Sequence, residues 1–587
     1  MTLLIILIIS LAAYYLAVRW YGRGVARWIK LDNSETTPAV EINDGRDYVP
    51  TKLHIVFAHH FATIAGAGPI IGPVVAVLYG FVPAWLWILL GGIFFGAVHD
   101  FTSMFVSVKE SGKSIAEITR KAVGKTGFIL FISFAIFMLL LVTAAFLNAT
   151  AMALTSSWPL EKLGLDETQT ILHTVRNATS PMGIEGVIGG IASTSVIIIT
   201  ILAPLLGWLI FRRGLKTVAA YIIAAVVAIG SVLVGFRFPV TFEPQTWMII
   251  ISIYCFIAAG LPVWFILQPR DFTNVQLLYG GMIILIVGVV GSGIQGVEIS
   301  FPATSVVEGT ARLGMIWPIM FITIACGAIS GFHALVSSGT TSKQVEQQVY
   351  TRKVGYGAML LESMLALLVL LALAGGLKYV DYIHLVHPVT GKGNPILAFA
   401  LAVGSMMKNV TGLPLYVGCI VGILMVEGFV ITSLDTAIRF IRYLLEELWQ
   451  LLFDPVPALF RSPWFSSGIA VILMWGLAAG NTFGALWPIF GSANQLMAAM
   501  TLITITMWLM LRGLKTWFTV IPAMFMTITT VTSLIILLFT KYLPAGNYTL
   551  VTASVVLLVM AVTLVFVAFA RAKELGEKDE EGILNQI

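Results

Sequence analysis

The chain has 587 residues, of which 58% are hydrophobic and 11% are charged, and 34 basic against 29 acidic residues give a formal net charge of +5. Soluble domains carry roughly 25% charged residues and still expose about a quarter of the unfolded chain's surface. The composition therefore excludes a cytosolic enzyme, a nucleic-acid-binding protein and a secreted disulfide-rich protein. It indicates a polytopic membrane protein in contact with lipid.

Apolar runs long enough to span a bilayer follow one another along almost the whole chain, and no alternating strand pattern competes with them. The first lies within residues 1–30, and its basic residues follow the apolar run, which is the reverse of a signal peptide. The other runs lie at 52–80, 83–108, 128–155, 186–211, 215–236, 247–268, 274–295, 315–338, 356–379, 413–436, 467–485, 487–511, 517–540 and 548–570. We expect an all-α protein with about 15 transmembrane helices.

The basic residues test how these spans alternate. Clusters lie at 109–125, 212–216, 343–353, 439–442, 512–515 and 571–573, with a single arginine at 270. Placing them all on one side makes every span alternate, provided that residues 396–410 stay on the outer side without crossing. Because basic loops face the cytoplasm, we expect an outside N-terminus, a cytoplasmic C-terminus and a charged cytoplasmic tail at 573–587.

The second span is interrupted at its centre by Gly66, Gly68, Pro69, Gly72 and Pro73. A continuous helix would lose backbone hydrogen bonds at the prolines. Unwound backbone at membrane depth survives only where protein or a water-filled cavity surrounds it. The alternative is a kinked helix whose small residues allow close packing.

The seventh span has Gly260 and Pro262 at its middle, and it runs through the membrane in the opposite direction to the second. Paired interrupted spans in two halves are typical of transporters with inverted repeats. We therefore expect a 5+5 inverted-repeat core, with repeats at 48–237 and 245–443. Residues 1–30 then form an additional N-terminal helix, and 463–572 form four peripheral helices.

The substrate pocket is predicted beside both interruptions, where free backbone groups and a tryptophan wall are available. Its expected lining residues are Gly66, Ala67, Gly68, Pro69, Gly260, Leu261 and Trp264.

Four long stretches carry a family resemblance: DYVPTKLHIVFAHHFATIAGAGPIIGP at 47–73, GAISGFHALVSSGTTSKQV at 327–345, TSLDTAIRFIRYLLEEL at 432–448 and LWPIFGSANQLMAAM at 486–500. Together they resemble the carbon starvation protein A family. The resemblance implies a transporter fold of the amino acid–polyamine–cation type, and uptake of peptides or, in some members, of pyruvate with protons. In sodium-coupled members of this fold, hydroxyls at the positions of Ser337 and Ser338 face the first interrupted helix, here residues 65–68.

Ionisable side chains inside a bilayer are costly, so each is a functional candidate. The assigned topology places a layer of them on the cytoplasmic side: His59, His60, His99, Asp100, His333 and Glu362. We expect ion coupling at His59, His60, Asp100, His333, Ser337 and Ser338. A proton relay, coupling to Na⁺, a bound metal such as Zn²⁺ at His59, His60, His99 and Asp100, and structural polar packing remain alternatives.

No nucleotide-binding loop, GxSxG, HExxH or CxxC motif occurs, so the sequence predicts no enzyme activity and no energy from ATP. We expect a secondary active transporter of the inner membrane that imports peptides or pyruvate during nutrient limitation, coupled to a proton or cation gradient. Its expected partners are the small-molecule substrate and membrane lipid, not nucleic acid. The alternative function is a nutrient-sensing receptor that binds without transporting.

Overall fold

The protein is a bundle of membrane-spanning helices. The computed structural model describes residues 2–45, 47–177, 183–389 and 392–584, with side chains described as far as residue 574. Within these ranges, 11 helices are long and apolar enough to cross a membrane, or up to 12 if one bent pair is counted as a span. Three shorter apolar helices of 10–17 residues accompany them. The chain is therefore a multi-pass membrane protein, because only helices or closed barrels satisfy the backbone within lipid.

The described helices follow the apolar runs, and basic or glycine-rich segments separate them. They are α1 (Leu3–Trp28), α2 (Pro38–Ile42), α3 (Leu53–Ile64), α4 (Gly68–Tyr79), α5 (Phe81–Lys109), α6 (Ile115–Ala122), α7 (Lys125–Leu154), α8 (Leu160–Leu163), α9 (Gly189–Phe211), α10 (Thr217–Arg237), α11 (Pro244–Gly260), α12 (Leu267–Ile294), α13 (Val306–Leu313), α14 (Ile316–Thr323), α15 (Phe332–Gly339), α16 (Gln348–Gly376), α17 (Tyr379–Val386), α18 (Pro395–Thr411), α19 (Leu415–Leu452), α20 (Pro463–Ala479), α21 (Phe483–Met510), α22 (Trp517–Tyr542) and α23 (Tyr548–Leu584).

A small antiparallel sheet interrupts the helices between α7 and α9. Its strands are β1 (Ser157–Pro159), β2 (His173–Arg176) and β3 (Ile184–Val187), in the spatial order β1-β3-β2. Ser157 and His173 both pair with Val187, so β3 is the central strand.

Four helices form the interior of the bundle. Each long helix has an apolar stretch of 18 residues that could cross the membrane. The protein itself buries between 78% and 89% of this stretch in α7, α16, α19 and α21, but only 33% in α9 and 28% in α10. A helix that is apolar all round is stable only inside a bundle or against lipid. The first four therefore carry the packed core, and α9 and α10 lie at its periphery.

The bundle has two distinct ends. The basic end holds the C-terminus of α5, the helix α6 and the end of α21, where Arg512 contacts Glu110. The opposite end holds the C-terminus of α7 and both termini of α18. We call it the vestibule end, because a large cavity described below opens there. Asn394, before α18, donates to Ser156, and Asn409, near its end, accepts from Gln295 after α12. Helix α18 therefore lies along the vestibule end instead of crossing the bundle.

A buried carboxylate ties α5 and α21 together at the basic end. Glu110 lies just beyond α5 with only 6% of its surface exposed. It accepts hydrogen bonds from Trp508 Nε1 at 2.8 Å and Arg512 Nη2 at 2.7 Å, and it also pairs with Lys121. Burial raises the pKa of Glu110, but the bonds from Lys121 and Trp508 and the two positive charges outweigh burial and lower it overall.

We predict that Glu110→Gln lowers the free energy of unfolding by about 1–3 kcal/mol, because a buried charge-assisted network loses its anion. Since the pKa of Glu110 is lowered on folding, its stabilisation is present above the ordinary pKa and is lost as the pH falls through the folded value. Thermal unfolding of the detergent-purified protein across this pH range measures both effects. Glu308→Gln is the matched control: its ion pair with Arg312 is partly exposed, and an unchanged melting temperature is expected. Equal effects of the two variants would contradict the prediction.

Candidate functional site

The first helix break separates α3 from α4. The helices are bent by 46° relative to each other, and α3 ends at Ala65 with φ −72° and ψ 80°. Pro69 occupies the first turn of α4, where the missing N–H costs nothing. The predicted interruption is therefore present, with unwound backbone at 65–67 in the middle of the bundle. Gly72 and Pro73, which the sequence predicts as part of the interruption, lie inside α4.

A second break separates α14 from α15, at residues 324–331. Helix α14 ends at Ile324 with φ −89° and ψ 76°, close to the dihedral angles of Ala65. The intervening backbone makes only short turns, such as the bond from Ile329 N to Ala325 O at 2.8 Å. The span at 315–338, which the sequence predicts as continuous, is thus two eight-residue helices.

Side chains from neighbouring helices satisfy the backbone of this second break. On α21, the side-chain oxygen Asn494 Oδ1 accepts a hydrogen bond from Phe332 N at 3.0 Å, and the backbone carbonyl of Asn494 accepts one from Gly331 N at 3.0 Å. Gln495 donates to Phe321 O at 2.8 Å, and Trp87 Nε1 donates to the same carbonyl at 3.1 Å. The orphan groups of two helix ends are therefore paired at membrane depth, as the absence of water there requires.

The two breaks pack directly against each other. A Cβ on Gly68 would overlap the Cys326 side chain, and a Cβ on Gly66 would lie 2.9 Å from Ser433 Oγ on α19. Between them is a small cavity of about 10 Å³, lined by Ile64, Gly66, Val142, Phe146, Cys326, Phe332, Ser433, Phe490 and Asn494. This central cavity has room for about one water molecule. Ser433 Oγ is buried there without a hydrogen-bond partner.

A much larger cavity of about 1120 Å³, the vestibule, lies on the other side of Phe146 and Phe490 from the central cavity. Its lining comes from α7, α11, α20, α21 and α22 and from the segments around α13 and α18. Three basic side chains, Arg312, Lys392 and Lys541, line it, and no Asp or Glu is among its described lining residues. Arg312 is paired with Glu308, whereas Lys392 is exposed.

A line of aromatic rings connects the vestibule to the central cavity. Phe483 and Trp487 line the vestibule, with ring centroids 5.1 Å apart. Trp487 contacts Phe490 at 5.0 Å, and Phe490 contacts Phe146 at 5.6 Å. Phe146 and Phe490 line the central cavity, so this pair separates the two spaces.

A network of buried ionisable groups lies beside the breaks. Asp100 on α5 contacts His99 Nδ1 at 2.7 Å and His333 Nδ1, on α15, at 2.8 Å. The other ring nitrogen of His333 lies 3.2 Å from Glu362 Oε2 on α16. All four side chains are fully buried. The structure thus brings together four members of the predicted layer, His99, Asp100, His333 and Glu362.

The other predicted coupling residues are dispersed around this network. His60 is buried, and its Nδ1 contacts Thr341 Oγ1 at 2.8 Å, while its neighbour His59 is exposed on the surface of α3. Ser338 Oγ accepts from Ile115 N at 3.0 Å, and Ser337 Oγ is buried without a partner. The predicted metal ligands do not meet at one point: His99 contacts Asp100, whereas His60 contacts Thr341 and His59 is exposed.

The predicted second half of the substrate pocket lies elsewhere. Gly260 ends α11 at the basic end, where the Trp464 ring occupies the space of a Cβ. Arg439 Nη2 donates to Leu261 O at 2.6 Å, and the Trp264 ring lies 5.1 Å from the Arg212 guanidinium. The Gly260–Pro262 pattern marks the end of a helix, because glycine and proline are as typical of helix ends as of breaks within a span.

Sequence reasoning missed Cys326, Ser433, Phe146, Phe490 and Asn494 at the central cavity. The segment CGAISG at 326–331 carries two glycines and a serine within six residues, and this is the signal that predicts a second break. The aromatic pair and Ser433 carry no such signal, because each lies in an ordinary apolar run.

Comparison with known proteins agrees with this architecture. The family described as "Carbon starvation protein CstA" matches residues 2–394 and 385–533. The chain belongs to the carbon starvation protein CstA family. The peptide transporter CstA of Bacillus subtilis is 33% identical, over 85% of this chain and 84% of the relative. That of Campylobacter jejuni is 31% identical, over 89% and 79%.

A relative that is named for another substrate has a similar sequence identity to this chain. The pyruvate/proton symporter BtsT of Escherichia coli is 32% identical, over 91% of this chain and 81% of the relative. A solved manganese transporter of Eremococcus coleocola is similar with a TM-score of 0.37 and 12% identity, over 90% of this chain and 99% of that one. Nothing about the present chain follows from a similarity of that size. The named relatives place this CstA family member among transporters, which is consistent with the absence of a predicted enzyme activity.

We predict that Gly68→Ala lowers initial uptake by roughly tenfold or more, because the added methyl group forces the first break away from Cys326. Gly428→Ala on α19 is the matched control, since a Cβ there meets no atom within 4 Å. Uptake by cells that express each variant is measured together with the amount of monodisperse protein extracted from the membrane. Normal uptake by Gly68→Ala would show that close contact between the breaks is not required.

Proposed function

We propose that the protein is a secondary active importer of small carboxylate-bearing nutrients, peptides or pyruvate, in the inner membrane, driven by a proton gradient. The observation that carries the proposal is a wide vestibule and a small central cavity beside two helix breaks, with only the Phe146–Phe490 pair between the two spaces. Broken helices beside a central cavity are typical of transporters that alternate access around a fixed site.

The basic end is proposed to face the cytoplasm. Lys109, Lys121 and Arg512 lie there, and basic residues near span ends are retained on the cytoplasmic side. The vestibule then opens to the outside, which suits an importer. The C-terminal segment at 573–587 is placed in the cytoplasm by the same rule, and α23 continues through it as helix to Leu584.

The core is proposed to consist of two inverted halves with boundaries different from the sequence-derived 48–237 and 245–443. The first half comprises α3–α4, α5, α7, α11 and α12, and the second comprises α14–α15, α16, α19, α20 and α21. Each half begins with a broken helix whose first part ends at nearly the same dihedral angles. Helices α11 and α20 both have 17 residues and start with proline, and α12 and α21 both have 28.

The directions of the paired helices support this assignment. Pro244 lines the vestibule and Gly260 contacts Trp464, so α11 runs towards the basic end. Trp464 begins α20 and Ala479 lines the vestibule, so α20 runs the opposite way. The hairpin α9–α10 then becomes an insertion in the first half, and α22 and α23 are peripheral together with α1.

The substrate is proposed to bind at Gly66, Ala67, Gly68 and Pro69, opposite Ser433. A cavity of about 10 Å³ is too small for a nutrient, so Phe146 and Phe490 must part before it binds. The Ser433 hydroxyl, buried without a hydrogen-bond partner, is the available polar side chain, and the unwound backbone at 65–67 is proposed as its counterpart. Gly260, Leu261 and Trp264, packed at the basic end, are not included.

The coupling ion is proposed to be a proton, since a relative is named a pyruvate/proton symporter. The predicted residues His59, His60, Asp100, His333, Ser337 and Ser338 remain the proposal for its site, and Asp100 is the central one because it joins α5 to α15 beside both breaks. Such a position lets a change of charge alter how the broken helix packs.

Uptake of labelled pyruvate and of a labelled dipeptide into proteoliposomes tests the proposal. We expect accumulation of at least one of them, increased when the outside is made acidic and abolished by a protonophore. Specific binding without accumulation would favour the receptor alternative and contradict transport.

We predict that Asp100→Asn removes the response of uptake to an imposed proton gradient, because the variant has lost the charge at the centre of the buried network. Asp381→Asn is the control, since Asp381 is exposed on α17. Counterflow, which needs no driving force, separates loss of coupling from loss of binding. An unchanged gradient response in Asp100→Asn would contradict a coupling role for this residue.

We also predict that Lys392→Glu raises the KM for an anionic substrate roughly two- to fivefold at low ionic strength, because the vestibule loses an attractive charge. The effect should shrink at high salt, where exposed charges are screened. Lys378→Glu is the control, since this exposed lysine is not among the vestibule's lining residues. A KM that does not change, or that changes equally in both variants, would contradict attraction of the substrate by the vestibule.

A further inference from the structure

Three buried side chains from different elements converge at the second break. Cys326 lies in the break itself, His333 in the first turn of α15 and Glu362 on α16. One sulfur, one imidazole nitrogen and one carboxylate oxygen all lie within 4.8 Å of one another. His333 and Glu362 are fully buried, and Cys326 is 5% exposed.

The Glu362 carboxylate of this cluster receives no hydrogen bond from the protein. His333 Nε2 and Glu362 Oε2 are 3.2 Å apart, but their geometry is not that of a hydrogen bond, and neither Glu362 oxygen has a hydrogen-bond partner. A buried carboxylate without compensating hydrogen bonds is costly. A cation between these atoms would remove that cost.

The surroundings of two of the three side chains suit metal ligands. Asp100 accepts from or donates to His333 Nδ1 at 2.8 Å, which fixes the ring with its other nitrogen directed at the cluster. A carboxylate behind a histidine in this way is the usual outer partner of a metal-bound imidazole. Asn494 Nδ2 lies 3.6 Å from Cys326 Sγ and donates to it, a bond that stabilises a thiolate. The Cys326 thiol also donates to Ser330 Oγ at 3.7 Å, and it would exchange that bond for the metal.

We propose that Cys326 Sγ, His333 Nε2 and the Glu362 carboxylate bind one Zn²⁺ ion. Thiolate and imidazole together select Zn²⁺ over Mg²⁺ or Ca²⁺, which prefer oxygen. Tetrahedral zinc separates its ligand atoms by roughly 3.3–3.8 Å, so side-chain movements of about 1 Å complete the site. This ligand set differs from the predicted His59, His60, His99 and Asp100.

The ion would connect the second break to α16. Three protein ligands leave one tetrahedral position for a water or another small ligand. Cys326 also lines the central cavity, so the site adjoins the space where the substrate is proposed to bind. The zinc proposal rests only on the cluster and does not depend on the substrate or on transport. It shares His333 with the proposed coupling site: with Nδ1 on Asp100 and Nε2 on zinc, His333 has no free nitrogen, so Asp100 and not His333 would carry the coupling proton.

Metal binding by the purified full-length protein tests the proposal. The probe is Co²⁺ after removal of bound metal, because a cobalt ion bound to a thiolate absorbs in the near ultraviolet by charge transfer from sulfur. The chain has three cysteines, so Cys255→Ser/Cys419→Ser leaves Cys326 as the only thiol. Both replaced cysteines are buried, and neither belongs to the cluster. We expect this variant and the unaltered protein to show a band that saturates at one Co²⁺ per chain and that Zn²⁺ abolishes.

Cys326→Ser is expected to lack the band, and Glu362→Gln to weaken Co²⁺ binding by roughly tenfold or more. Absence of the band from the Cys255→Ser/Cys419→Ser variant in excess Co²⁺ would overturn the proposal, and so would a band that persists in Cys326→Ser. The double variant leaves the cluster intact, so it decides the question even where Cys326→Ser fails to fold. Because the readout is spectroscopic, failure of the zinc proposal is distinguishable from failure of transport.

Discussion

The structure depends on the requirement that backbone polar groups at membrane depth find partners in the protein. Two helices break in the middle of the bundle, and the lipid offers no water to the groups thereby released. At the second break Asn494 and Gln495, adjacent on α21, bond one helix end each. The first break is closed mainly by bonds within its own backbone, such as Gly66 N to Ile64 O at 2.8 Å and Ile71 N to Ala67 O at 2.9 Å. The same constraint is therefore met by neighbouring helices at one break and by local turns at the other.

Close contact between the breaks follows from their composition. Glycine at positions 66 and 68 lets the unwound segment approach Ser433 and Cys326 more closely than any side chain would allow. The two long helices α7 and α19 pack against each other and both line the cavity at this contact, and both are largely buried. A displacement of either broken helix would therefore have to be accommodated by the other, because no space separates them.

The buried charges form a second system that is joined to the first. Asp100 has a histidine on each carboxylate oxygen, whereas Glu362 has none in hydrogen-bond geometry. His333 lies in the first turn of α15, directly after the second break, whose Cys326 contacts Gly68. The breaks and the charge network are therefore joined in space by one short helix of eight residues.

Composition, apolar run length and the distribution of basic residues were sufficient to predict a multi-pass helical membrane protein, and long family stretches identified its family. The first break was also predictable, because a cluster of glycines and prolines within eight residues weakens a helix locally, even though Pro73 of that cluster is accommodated inside α4. The depth of Asp100 and His333 in their spans correctly placed them in one layer. Each of these conclusions depends on local sequence or on helix length alone.

Other features depended on contacts between residues far apart in the chain. Two segments, 260–262 and 326–331, have similarly weak helix-forming sequences. Only packing decides that 260–262 ends a helix and that 326–331 is a break within a span. Whether His59 or His60 points inward, and whether Cys326 meets Glu362, is decided by the rotation of each helix about its axis. Sequence determined which segments are helical and which residues lie at membrane depth, since these follow from local chemistry. Only the tertiary structure decided which faces meet, because in lipid the positions of helices are set by shape and polar pairing between neighbours and not by hydrophobicity.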